Sequence, residues 1–402
     1  MDALKIIFWV ALSIIFYSYL GYGILLFAVI KIRRALGLGK PFEGNEDYEP
    51  DVTLFVAAYN EKDYLDAKVS NSQSLNYPQK KVTQLWVTDG SDDGTPELLK
   101  KHKDVSVLHE PARNGKIAAM NRGMKHVTTP IVIFSDGNTN LGKDSIKEIV
   151  RLFRDPTVGC VSGEKRIYSK DADAAAGAGE GMYWKYESQL KKWDAELYSV
   201  VGAAGELFAI RTELWQEVEK DTLLDDFMIS LRVAMKGSTI QYNPEAYAIE
   251  NASANVKEEL KRKIRISAGG IQSVVRLRSL LNVFKYGTLS FQYISHRVLR
   301  WTLTPLLLLL LIPINFFIVT EEGFFSLTVF SILFWCQVAF YAAALLGWFL
   351  ENRQIRLKIL FIPYYFFIMN LSVFLGFGRY LKGNQSVNWE RAKRGSSEQV
   401  VA

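Results

Sequence analysis

Cysteine is nearly missing from this chain: 402 residues hold two, Cys160 and Cys336, isolated from each other and from any ligand spacing. That excludes a disulfide framework and a spaced zinc site. Internal repeats and low-complexity runs are also absent, which removes repeat architectures. Charge is absent from residues 6–30, IIFWVALSIIFYSYLGYGILLFAVI, a run long enough to cross a hydrocarbon core, which takes about 20 helical residues. The apolar part of a signal peptide is shorter, roughly 7–15 residues, and ends at a small-residue cleavage site, so this run reads as an uncleaved anchor. The net charge of +6 is modest, and its basic residues cluster beside apolar segments. They face lipid headgroups better than nucleic acid.

Apolar residues make up 49% of the chain and aromatics 13%, above the level of an ordinary soluble protein. The excess sits in the anchor and in three later runs, at 301–319, 324–350 and about 359–378, the last interrupted by Pro363. Residues 50–280 between them have globular composition. Lys31, Arg33, Arg34 and Lys40 follow the first run, and Lys285, Arg297 and Arg300 precede the second, so the positive-inside rule puts the central region in the cytoplasm. The tail, with Arg379, Lys382, Arg391, Lys393 and Arg394, breaks that rule if all four runs cross. Either the Pro363 segment is re-entrant or interfacial, or the rule fails here.

Between residues 52 and 135, short apolar runs (DVTLFVAA, VTQLWVTD, VSVLHE, IVIFSD) alternate with polar helix-like segments. This is the βαβ rhythm of a mostly parallel sheet, whose ligands bind beyond the carboxyl ends of the strands. Asp89 and Asp136 stand at two such ends and are expected in one crevice. Asp92 and Asp93, before Thr95-Pro96, read as turn and cap residues. Tyr183, Tyr186, Leu190, Trp193 and Leu197 recur at helical spacing among lysines, behind a glycine-rich stretch at 174–181 that reads as a flexible lead. That helix either lies in the membrane interface or packs on the sheet.

Four short motifs carry chemistry. Asp136 and Asn138, one residue apart after IVIF, either build a turn or present two oxygens to a divalent cation on a nucleotide diphosphate. Asp225 and Asp226 open a helix, where they cap it or take a proton from a hydroxyl as general base. Arg262 and Arg265 share a helix face, which is either solvated surface or a clamp for a leaving diphosphate. Lys116 opens a helix after Gly115, a place that collects phosphate.

The ordered set AYNE, TDGS, GK, SDGN, LLDDF and RxxR, between an N-terminal span and C-terminal spans, closely resembles the membrane-integrated family 2 glycosyltransferases. That family includes the hyaluronan, chitin and cellulose synthases and bacterial exopolysaccharide relatives. The resemblance implies an α/β GT-A domain, a Rossmann-like mixed sheet, inserted between transmembrane helices. Its expected divisions are an anchor at 1–40, a cytoplasmic catalytic domain with interfacial helices at 50–280, a transmembrane region at 281–380 and a polar tail at 381–402. It also implies a UDP-sugar donor, Mg²⁺ or Mn²⁺, and a location in the plasma membrane. By position, Ala57, Tyr59, Glu61, Asp89, Lys116, Asp136 and Arg262 match donor-side residues. Asp136 and Asn138 match the metal motif, Asp226 the general base, Arg265 the diphosphate arginine, and Gly202, Gly205 and Asp225 the acceptor side.

Three departures qualify the match. Asn138 replaces the second acid of Asp-x-Asp, Leu224-Asp225-Asp226 stands for Thr-Glu-Asp, and Arg265-Ile266 ends the motif that the family writes Gln-x-x-Arg-Trp. Ile266 cannot stack under an acceptor sugar as tryptophan does. The acceptor implied is a growing exopolysaccharide, its synthesis coupled to secretion, or a lipid-linked sugar; so few spans leave a narrow pore unless chains join in a homo-oligomer. Two other classes are a catalytically silent membrane subunit, supported by the eroded motifs, and a transporter, opposed by spans without internal charge.

Overall fold

The computed structural model describes residues 1–38, 48–168, 175–251, 256–353 and 357–383. Lys40 and the basic tail residues Arg391, Lys393 and Arg394 lie outside the described residues. Eight strands form one sheet: β1 (Val52–Ala58), β2 (Val82–Asp89), β3 (Val105–Glu110), β4 (Ile131–Asp136), β5 (Asn140–Leu141), β6 (Val158–Tyr168), β7 (Leu207–Arg211) and β8 (Thr239–Asn251). Their order across the sheet is β3-β2-β1-β4-β7-β6-β8-β5. The first four are mutually parallel, as their alternation with helical segments requires. β7 then runs antiparallel to both β4 and β6, and β6 is parallel to β8, which makes the sheet mixed.

β1 is buried along all seven residues, so its sequence is a continuous apolar run rather than an alternating one. Its period of two still sorts the core. Val52, Leu54, Val56 and Ala58 enter one apolar cluster with Trp86, Leu65 and Ile149. Phe55 and Ala57 enter the other with Met120, Phe208 and Phe227. Ala57 is in register with Val87 on one side and with Asp136 on the other, so the carboxyl ends of β1, β2 and β4 finish together.

The helices are α1 (Asp2–Phe16), α2 (Tyr22–Ala35), α3 (Lys62–Gln73), α4 (Thr95–Leu99), α5 (Lys116–Met124), α6 (Ser145–Val150), α7 (Ala175–Leu197), α8 (Asp225–Met235), α9 (Val256–Arg276), α10 (Val283–Tyr293), α11 (Leu299–Trp301), α12 (Leu303–Glu322), α13 (Val329–Asn352) and α14 (Lys358–Leu381). A π turn at Tyr17–Gly21 joins α1 to α2, and another at Ile294–Val298 joins α10 to α11. Four stretches are long and apolar enough to cross a membrane: Asp2–Ala35, Leu303–Glu322, Val329–Glu351 and Ile359–Leu381. Their outward faces carry Phe16, Phe27, Leu309, Phe317 and Trp348 exposed, a surface that needs an apolar surrounding.

One expectation changes: the glycine-rich stretch is no loose lead, since the helix is already formed from Ala175. The Pro363 segment is one unbroken helix of 24 residues. It packs on α9, where Gly376 sits against Ala268 and Ser267 faces Ser372. Helix α7 packs on the sheet, one of the two readings its pattern allowed: the Ser188 hydroxyl bonds the Tyr242 hydroxyl of β8, and Trp193 meets Phe27 of α2.

Helix α5 approaches β1 and β2 at Gly123, where a Cβ would lie 2.4 Å from Phe55 and 2.6 Å from Val87. Neither neighbour is free to give in a close-packed core. Gly123→Val is therefore expected to destabilise the domain by about 1–3 kcal/mol through overpacking, read as a lower apparent Tm of the purified protein in detergent.

Candidate active site

The carboxyl ends of β1, β2 and β4 open into a cavity of about 930 Å³. Tyr59, Glu61, Lys116, Asp136, Asn138, Gly205, Asp225, Asp226, Arg262, Arg265 and Ile266 line it. Ala57 and Asp89 line a smaller adjoining cleft with Tyr59, Arg113 and Gly115. Gly202 lies behind the wall. Its φ is +87°, and a Cβ there would meet Phe227 at 2.3 Å, so it lets the Gly202–Gly205 turn pack on the first turn of α8.

The turn after β1 is set by Asn60, the single non-glycine residue with positive φ among the described residues. Its side chain exchanges hydrogen bonds with Asp92: Nδ2 donates to Oδ1 at 2.8 Å, and Oδ1 accepts from the Asp92 amide at 3.0 Å. Asp93 accepts from the Thr95 and Lys62 amides, so both acids hold loops, as their sequence context suggested. Asp89 has a structural task as well as a place in the cleft. Its Oδ2 accepts the Asn114 and Gly115 amides at 2.7 and 2.6 Å, which fixes the turn that presents Lys116.

Lys116 is the centre of the site. Its Nζ lies 2.9 Å from Asp136 Oδ1 and 2.9 Å from Asp225 Oδ2, tying the end of β4 to the start of α8. Burial works against the ammonium, but the two carboxylates outweigh it and hold its pKa above the ordinary lysine range. Asp225 thus turns to Lys116, while both acids stand in the first turn of α8, whose cap position is Leu224 with no side-chain cap bond.

Asp226 is pushed up to about 7, first by burial and then by the adjoining Asp225 charge. A carboxylate poised near neutrality suits proton abstraction. Gly205 leaves it room: a Cβ there would lie 3.1 Å from its Oδ2. Arg262 is tied to Glu259 in its own helix, Nη2 to Oε1 at 2.7 Å. Arg265 makes no hydrogen bond or ion pair with any described residue, while burial and Arg262 lower its pKa against the pull of Asp225, Asp226 and Asp136. An unsatisfied guanidinium in a cavity is a ready partner for a diphosphate.

Asp136 and Asn138 offer one carboxylate and one amide oxygen, and burial raises the Asp136 pKa before Lys116 partly offsets it. Among the described residues no group of three or more His, Cys, Asp or Glu could hold a metal. Two hard oxygens fit a divalent cation only when phosphate oxygens complete its shell.

Several cavity residues escaped the sequence reading. Arg113 stacks over Tyr59 at 3.9 Å. Lys165 bonds both Glu206 and Glu250, and despite burial that cation pulls Glu206 down to about 2. Trp184, Arg297, Trp301 and Arg379 complete the wall toward the apolar helices. Glu206, following Gly205 at the start of an apolar strand, was the one with a readable signal.

A model described as glycosyltransferase like family 2 matches residues 50–269, more than half of the chain. This chain belongs to glycosyltransferase family 2. It is 25% identical over 283 residues to the poly-beta-1,6-N-acetyl-D-glucosamine synthase of Staphylococcus aureus strain MSSA476, covering 67% of this chain and 64% of that protein. The Staphylococcus epidermidis synthase of the same name is 24% identical over 235 residues, 56% of each chain. This chain thus spans just under two thirds of the Staphylococcus aureus relative. Among solved structures it is similar to the mannosyltransferase PcManGT of Pyrobaculum calidifontis, determined in complex with GDP-Man and Mn²⁺: TM-score 0.66, 22% identity, 94% of this chain and 99% of that one. The fold is therefore GT-A, joined to four helices capable of spanning a membrane.

The Asp226 pKa has a consequence for stability whose sign is fixed. Folded Asp226 titrates near 7 and an unfolded aspartate near 3.8, so the native state binds the proton more tightly and loses stability as pH rises between them. Asp226→Asn is expected to raise the apparent Tm at pH 8, with the gain shrinking to nothing near pH 4, as thermal unfolding across that range will show.

Proposed function

We propose that the protein is an inverting transferase that moves a sugar from a UDP-sugar to the hydroxyl end of a growing exopolysaccharide at the cytoplasmic face of the plasma membrane, coupled to secretion. The observation that carries this reading is the confluence, in one cavity beside the apolar helices, of the near-neutral Asp226 and the unpaired guanidinium of Arg265. The staphylococcal relatives are polysaccharide synthases by name, and the basic residues flanking the first span support the cytoplasmic orientation.

In the proposed step Asp226 takes the proton of the acceptor hydroxyl, and the oxygen attacks the anomeric carbon from the face opposite the diphosphate. The bond from that carbon to the phosphate oxygen breaks, and its electron pair leaves with UDP. Arg265 and Lys116 neutralise the departing charge. Asp136 and Asn138 would hold Mg²⁺ or Mn²⁺ on the donor phosphates, where a bound divalent ion supplies Lewis-acid stabilisation of the leaving group. Tyr59, Asp89 and Arg113 would flank the nucleoside, and Glu61 and Arg262 the outer donor side. Gly202, Gly205 and Asp225 would shape the acceptor side. Membrane lipids surround the spans, and association of chains would widen the path for product.

A second reading, transfer of one sugar to a lipid-linked acceptor, is favoured by Arg379, which brings a cation to the cavity wall beside the spans. The test is release of nucleoside diphosphate by the purified protein from UDP- and GDP-sugars with Mg²⁺ or Mn²⁺, with the labelled product sized. A high-molecular-weight product is expected; a single-sugar lipid product would establish the second reading, and no turnover with any donor would defeat both.

Asp226→Asn is expected to lower transfer at least about a thousandfold while donor affinity by titration calorimetry stays within a few-fold. Arg265→Ala is expected to weaken both. Normal transfer in the Asp226 variant would remove the base assignment.

A further inference from the structure

We propose that Lys68, a buried lysine of α3, is a positioning residue for the turn that offers Asp136 and Asn138: it grips Ser135 and Thr139 on either side of them and so sets where their oxygens stand. The inference rests on the transferase reading above and adds to it a residue outside the cavity lining.

A lysine is rarely buried without a carboxylate beside it, because its amine gives up hydration. Lys68 is 1% exposed, on a helix whose Leu65 and Val69 belong to one of the two apolar clusters of the sheet. Its Nζ donates to two hydroxyls, Ser135 Oγ at 2.8 Å and Thr139 Oγ1 at 3.4 Å. Burial lowers its pKa to about 7 against the pull of Asp136. An amine has two N–H groups even when neutral, so the grip on two hydroxyls does not depend on charge. For stability alone an apolar side chain of the same length would serve at least as well.

The turn that Lys68 touches is closed on itself. Thr139 Oγ1 donates to the Asp136 carbonyl at 3.0 Å and lies 3.2 Å from Ser135 Oγ. Two other residues of this helix hold the same segment. Asn71, three residues on and on the same face, exchanges hydrogen bonds with the Leu141 backbone: Nδ2 donates to its carbonyl at 2.9 Å, and Oδ1 accepts its amide at 2.8 Å. Glu61, at the cap position of α3, lies against Gly137, where a Cβ would stand 3.2 Å from its Cγ. Helix α3 thus braces residues 135–141 at three places, and Lys68 is the one that spans both flanks of the motif.

The brace matters because Asn138 brings an oxygen without a charge. With one carboxylate in the pair, the hold on a divalent cation rests on how well the two oxygens are placed. Groups that orient a metal's ligands from outside its shell commonly set its affinity by tenfold or more.

The experiment measures UDP affinity by titration calorimetry, with Mn²⁺ and with EDTA, together with apparent Tm. Full-length wild type is compared with Lys68→Met, with Ser135→Ala plus Thr139→Val, and with all three changes combined. In Lys68→Met the tightening of UDP binding by Mn²⁺ is expected to fall about tenfold or more. Affinity in EDTA is expected to stay within about twofold, and Tm not to fall, since methionine fills the space without an amine to desolvate. The hydroxyl variant is expected to lose a similar factor, and the combination little more than either, as for groups that act as a unit. A Tm and an EDTA affinity that fall together in Lys68→Met would make it a residue that only supports the fold, and would overturn the proposal. Full Mn²⁺ tightening in that variant, additive losses in the combination, or a wild type whose UDP affinity is indifferent to Mn²⁺ would also overturn it, each leaving the transferase reading intact. A wild type that neither binds UDP nor turns over any nucleotide sugar would overturn the transferase reading, and the brace with it.

Discussion

One ammonium group holds this site in shape. Lys116 lies between Asp136, at the end of a parallel strand, and Asp225, at the start of a helix encoded far downstream. Without it, the Asp136 and Asp225 carboxylates would face one another unpaired, and an uncompensated buried charge is strongly destabilising. The rest of the local structure serves this contact. Asp89 accepts the two amides before Lys116 and so fixes where α5 begins, and Gly115, with φ +94°, supplies the backbone turn into that helix. The arrangement also divides labour between two adjacent acids: Asp225 is neutralised by Lys116, whereas Asp226, turned toward Gly205, is left with a raised pKa.

How much of this was legible depended on how local each signal is. The strand ends at Asp89 and Asp136 could be read because an apolar run that stops at an acid marks both a strand and its exit. The parallel half of the sheet followed from its alternation with helices. The antiparallel half did not, since β6 and β8 pair across some eighty residues and their register shifts near Gly159 and Gly163. Asp225 and Asp226 could be read equally well as helix caps, because nothing near them in sequence announces Lys116. Arg262 and Arg265 looked alike on one face of α9, yet only Arg262 has a glutamate at the matching helical spacing. Trp301 was invisible as a site residue, since it opens what reads as an apolar span.

The joint between the catalytic domain and the spans adds a buried ionic cluster to the apolar packing of Tyr22 and Leu26 against Leu190. His296, in the π turn after α10, has Nδ1 2.5 Å from Asp194 and Nε2 3.1 Å from Glu187, both on α7. Arg297 and Arg300 close on Glu187 at 2.6 and 3.2 Å, and the Tyr22 hydroxyl of the anchor donates to Asp194. Burial raises the Glu187 carboxyl, but Arg297 and His296 overcome it and hold it well below its usual range. A buried ionic cluster adds little stability compared with apolar packing, yet it tolerates few geometries. It therefore fixes register between the anchor, α7 and the segment leading into α12.

That register matters because the cavity is shared. Lys191 and Glu187 on α7, Arg297 and Trp301 on the way into α12, and Arg379 on α14 all line the same cavity as Asp225 and Asp226. Arg297 is the hinge of the arrangement: it pairs with Glu187 in the buried cluster and also lies beside the Trp301 ring. A shift of the anchor relative to α7 would be passed through Asp194, His296 and Arg297 to residues that line the cavity. A purely apolar joint could slide by fractions of a turn without penalty, and the wall opposite Asp226 would slide with it. The ionic joint forbids that motion, so the spanning helices serve as one side of the active site and not only as its anchor.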